Sequence, residues 1–130
     1  MNTPSATIRA WAQQLLVAEA ANGSEPQARE AALVLEKLRI ALSRFVGADG
    51  FAALLRRALA LARADIPSLR TVKVTGSGRL EGFQEFAENE ENFQAAIAIT
   101  AYLLELLVTF IGESLTLRLV RDAWPDASLD

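Results

Sequence analysis

The sequence predicts an all-α fold: a single domain, residues 1–130, of four to five helices around an apolar C-terminal helix. Three observations predict it. The run Ala95–Ile111, AAIAITAYLLELLVTFI, is apolar in every direction of a helix and carries one charge, Glu105. A helix of that kind must be covered on most sides. The composition is 52% hydrophobic and rich in Ala and Leu, the best helix formers. Helix-period segments are also separated by strong stop signals: Asn22-Gly23, Gly47, Ile66-Pro67 and Trp124-Pro125.

A membrane reading of the central run is disfavoured. Its 17 residues reach only the lower edge of a bilayer span, and Glu105 near its middle is costly in lipid. The preceding EFAENEEN is acidic and lacks a basic flank. The N-terminus MNTPSATIRAWAQQLL has no basic region followed by an apolar core, so no signal peptide is read and a cytoplasmic location is expected.

Helix one is expected from Ser5 to Ala21, with Ile8, Trp11, Ala12, Leu15 and Ala18 on its core face and Val17 off it. Helix two opens at Ser24-Glu25-Pro26, a cap followed by a proline in the first turn, and stops at Gly47. Its core face is read as Ala31, Val34, Leu35, Leu38, Ala41, Leu42 and Phe45. Leu33 and Ile40 lie opposite, beside Lys37 and Arg44. Gly47-Ala48-Asp49-Gly50 is a tight connection into helix three, Phe51 to Ala64, so that helices two and three form a hairpin.

The stretch LRTVKVTGSGRLEGF has no helical character. Val72 and Val74 alternate around Lys73 before Gly76-Ser77-Gly78, so a short extended or β-hairpin excursion is expected near 71–80. TGSGR lacks the spacing and the lysine of a phosphate loop. An acidic helix is expected from about Phe83, with Phe86 also reaching inward. Its Glu85, Glu88 and Glu91 are read as a solvated face rather than a cation site. In the central helix, Glu105 calls for a basic partner from the middle segment, Arg118 or Arg121. The series Leu104, Val108, Ile111, Leu115, Leu119 keeps helical spacing through Gly112, so a bend with continuation is expected there.

The chemistry excluded is extensive. With no cysteine and no histidine, the thiolate nucleophile, the common neutral-pH base and the usual transition-metal ligands are absent. The expectation is no enzyme, no catalytic residue, no metal and no cofactor. The net charge of −3 hides a split. Lys37 to Arg79 carries nine bases and two acids, or +7; Leu80 onward carries two bases and ten acids, or −8; the first 36 residues add −2. Halves folded together, or paired across a dimer, account for such a split, as does an acidic partner.

The leading functional expectation is a helical interaction module, self-associating or acting as a small adaptor or regulatory subunit of a larger bacterial assembly. Its candidate interface is Leu33, Ile40, Lys37 and Arg44, and a homodimer is the expected form, since such apolar patches are seldom left exposed. Arg56, Arg57 and Arg63 are a candidate anion or partner contact, against the plainer reading of solvated arginines. A second expectation is a bundle that senses a small acidic or apolar ligand, read by arginines and Tyr102. Nucleic-acid binding through residues 37–79 ranks lower, because helix three lacks a polar recognition face.

Overall fold

The computed structural model describes residues 6–21, 27–76, 78–82 and 89–125, and the side chains of these except 18–21, 27–33 and 89–93. Within them the chain runs α1 (Ala6–Ala21), α2 (Gln27–Asp65), a 3-10 turn (Pro67–Thr71), β1 (Lys73–Val74), β2 (Leu80–Glu81), α3 (Asn89–Ile111) and α4 (Glu113–Ala123). It is the predicted helical bundle with a small hairpin.

The apolar run is the centre of the bundle. Every residue from Ala95 to Leu104 is buried, and α1, α2 and α4 all pack on α3. By length and composition Gln94–Ile111 qualifies as a bilayer span, and 61% of that window is buried within the domain. From α1 come Ile8, Trp11, Ala12, Leu15 and Leu16; from α2 come Leu38 and Leu42 and then Phe51, Leu55 and Leu59. Alanines at 95, 96, 98 and 101 keep α3 slender, which lets its neighbours approach closely. Among the described residues the Thr100 hydroxyl is buried in this core without a hydrogen-bond partner. Thr100→Val keeps the shape and removes the orphan group, so it is expected to raise stability by about 1 kcal/mol in urea unfolding. A loss of stability would mean that the hydroxyl has a partner.

The expected stop at Gly47 is present, at φ 78 and ψ 167, but it is a single residue. The connection is therefore shorter than the four-residue turn read from the sequence, and the second arm of α2 starts before Phe51. Gly112 corrects a different expectation. At φ 93 and ψ 157 it breaks the helix rather than bending it. Hydrogen bonding resumes at once on both sides, with Gly112 N–H donating to Val108 O at 2.9 Å and Thr116 N–H to Gly112 O at 3.1 Å. Positive φ is accessible to glycine at little cost, so the chain is redirected here without losing either helix end. Packing explains the break. The strongly amphipathic α4 turns Thr116 and Val120 inward and packs on α2 and α3, while Leu115 and Leu119 stay half-buried.

The excursion is a two-residue antiparallel hairpin, Lys73 opposite Glu81 and Val74 opposite Leu80. So short a ribbon is marginal by itself. It is held against the helices: a Cβ on Gly78 would sit 3.0 Å from the Phe51 ring and 3.7 Å from Arg39 Cδ. The hairpin tip thus presses on both arms of α2, across the Gly47 break. Of the acidic helix expected from Phe83, residues 83–88, including Glu85 and Glu88, lie outside the described residues, as does the Glu91 side chain.

Candidate docking groove

An open groove of about 410 Å³ lies between the first arm of α2 and α4. One wall is Lys37, Ile40, Ala41, Arg44 and Phe45, spaced so that all five fall on one face of the helix. The other is Leu119, Asp122 and Ala123, one face of α4. The small residues Ala41 and Ala123 are half-buried between the walls. Ile40 and Phe45 are 54% and 56% exposed, which is unusual for two side chains of their size lining one groove.

The charged groups are arranged unequally. The Lys37 ammonium lies 5.4 Å from the centroid of the Trp124 ring, within cation–π range, and Trp124 is itself buried. Trp124 closes α4, its backbone N–H donating to Val120 O at 2.9 Å, with Pro125 next. Arg44 and Asp122 are both exposed on opposite walls. Among the described residues neither makes an ion pair or side-chain hydrogen bond.

Three of the four interface residues read from the sequence, Lys37, Ile40 and Arg44, are therefore brought to one groove. Leu33 belongs to the same helical stripe, but its side chain lies outside the described residues. Phe45 corrects the sequence reading. It shares the spacing of Leu38 and Leu42, yet it lines the open groove beside α4 and no described element covers it. Sequence reading misses Leu119, Asp122 and Ala123 because it carries α3 through Gly112 with a bend instead of breaking it there. The signal that could have found them is Gly112 itself, where a break frees the following segment to fold back.

The arginines of the other candidate cluster have separate fates. Arg63 is half-buried and donates to the Leu69 carbonyl at 3.4 Å and also to the Val72 carbonyl, so it clamps the 3-10 turn to α2. Arg56 and Arg57 are exposed. Tyr102, expected to read a ligand, is buried and donates its hydroxyl to Asp65 Oδ2 at 2.6 Å. Glu105 is half-buried and makes no ion pair among the described residues; reaching solvent, it does not need the basic partner expected for it. No group of three potential metal ligands occurs among the described residues.

Part of the basic surplus is answered within the chain. Glu36 accepts from Arg39, one turn on, and from Arg79 Nε at 3.2 Å, which ties α2 to the hairpin. The hydrogen bond from Arg39 outweighs burial and, with Arg79, lowers the Glu36 pKa from 4.5 to about 2. A depressed carboxylate stabilises the fold fully above its unfolded pKa, and that contribution is lost as pH falls from about 4.5 through about 2. With a third of the side chain open to water, the contribution is expected to be only about 1 kcal/mol. Glu36→Gln should be less stable by that amount at neutral pH and converge with the unmutated chain near pH 2. A constant difference at all pH values would contradict the assignment.

No family model, curated protein or solved structure matches the chain.

Proposed function

We propose that this chain is a non-enzymatic helical interaction module that docks a protein partner in the groove between α2 and α4. The observation that supports the reading is Ile40 and Phe45, both more than half exposed along one groove, on a helix whose other described large apolar side chains are buried or half-buried. Leaving two such side chains half in water forgoes about 1 kcal/mol each relative to full burial, which a docked partner would recover in part. Apolar walls with charges at the rim are the ordinary anatomy of a protein interface. The missing histidine and cysteine argue in the same direction, away from catalysis.

The test is a photo-crosslinking side chain placed at Ile40 in the full chain, expressed in its native cell. A discrete protein adduct at Ile40, absent when the crosslinker is moved to exposed Ala53 on the other arm of α2, is the expected result. Equal labelling at both positions, or none at Ile40, would remove the docking role. A second reading is a small amphiphilic anion, favoured by Lys37 and Arg44 on an apolar wall. It predicts a ligand that co-purifies with the chain and is lost on Arg44→Ala, and no protein adduct at Ile40.

A further inference from the structure

We propose that the occupant of the groove is a second copy of this chain, related by a two-fold axis, with Arg44 of each copy paired to Asp122 of the other. The inference rests on the docking reading above and names the partner. It is carried by the distribution of charge rather than by the apolar surface alone. The α2 wall brings Arg44 and the α4 wall brings Asp122 to the edges of one groove, both exposed, and the chain does not pair them with each other or with any other described residue. The groove thus holds both halves of an ion pair, on separate helices, unmade.

A two-fold interface uses one patch on both subunits, so a contact from residue i to residue j is repeated from j to i. Setting the α2 wall of one copy against the α4 wall of the other makes the Arg44–Asp122 pair twice. The same act brings the Ile40 and Phe45 side chains of the two copies toward Leu119 and Ala123 of the opposite copies. A one-signed partner fits less well. A nucleic acid or a small anion attracted to Lys37 and Arg44 would meet the Asp122 carboxylate in the same groove, and such like-charge juxtaposition is costly. The groove is self-complementary rather than basic.

Charge exchange tests the pairing. Arg44 and Asp122 are both on the surface, where substitutions usually change stability by less than about 0.5 kcal/mol. The unmutated chain is expected to be a dimer at tens of micromolar in sedimentation velocity. Arg44→Asp alone places two acids at each contact, and Asp122→Arg alone places two bases there. Each should weaken the dimer about tenfold or more. An equimolar mixture of the two single variants, one carrying a mass tag, should give a mixed dimer by native mass spectrometry, because each contact is then between opposite charges. The double variant Arg44→Asp, Asp122→Arg should recover self-association in one chain.

Single reversals that leave the dimer unchanged, or a mixture that stays unassociated, would overturn the pairing. A monomeric unmutated chain would overturn the second copy as occupant. In that case an adduct to a different protein at Ile40 leaves the docking reading standing, and the absence of any adduct removes both.

Discussion

Phe51→Ala is expected to lower the unfolding free energy by about 3–5 kcal/mol, the range for deleting a buried aromatic side chain. Phe51 is fully buried, just past the Gly47 break and directly under the Gly78 turn. Its ring therefore fills the space where the second arm of α2 meets the hairpin, and Arg39 of the first arm borders the same turn. Truncation would leave a cavity that neither a helix end nor a two-residue ribbon can close by small shifts. Many domains have only about 5–15 kcal/mol to lose, so the milder Phe51→Leu is the companion variant. Phe45→Ala is the control: more than half exposed, it should change stability by less than about 1 kcal/mol. Urea unfolding of the three variants decides the matter. Equal losses at Phe45 and Phe51 would mean that the assignment of core and groove is wrong.

The second large effect is expected at Arg63. Its guanidinium donates to the carbonyls of Leu69 and Val72, two residues with no solvent exposure. Hydrogen bonds from a charged donor contribute about 1.5–3 kcal/mol each, and removing Arg63 takes the donor from the Val72 carbonyl while the Leu69 carbonyl keeps the Val72 N–H at 2.9 Å. Allowing for partial exposure of Arg63, Arg63→Met should cost about 2–4 kcal/mol and loosen the turn that leads into the hairpin. Arg63→Lys should recover little, because an ammonium cannot reproduce the forked donor geometry. Arg56→Gln and Arg57→Gln should fall within about 0.5 kcal/mol of the unmutated chain. If all three arginines behaved alike, Arg63 would have no special structural place, and the three would again read as one anion-facing set.

Much of the fold was legible because its signals are local. Ala95–Ile111 offers no polar face, so only a central position satisfies it. Pro67 and Pro125 end helices by steric exclusion, and Val72 and Val74 around Lys73 alternate as a strand must. Gly47 and Gly112 show the limit of such signals. Both are helix breaks at positive φ, yet the apolar series Leu104 to Leu119 runs through Gly112 in register and reads as continuation. Only the packing of Thr116 and Val120 on the bundle reveals the fold-back.

The candidate site was half legible for the same reason. Lys37, Ile40 and Arg44 stand apart by helical spacing, and that is a property of one helix. Whether Phe45 is covered depends on where another helix comes to rest, and spacing within α2 carries no information on that. Asp122 and Leu119 enter the groove only through α4. Arg56 and Arg63 are equivalent by spacing, one stripe on one helix. Carbonyls from the following turn make one of them structural, and backbone acceptors have no sequence signature.

The most direct measurement is sedimentation velocity on the double variant Ile40→Asp, Phe45→Asp beside the unmutated chain, with circular dichroism on both. Two carboxylates in an apolar docking groove should abolish association while leaving the helical signal intact and the melting temperature within a few degrees. The account predicts an associated unmutated chain at tens of micromolar and a folded, monomeric variant. A variant that unfolds would place Ile40 and Phe45 in the core of the domain, and a variant that associates as strongly as the unmutated chain would place the interface elsewhere.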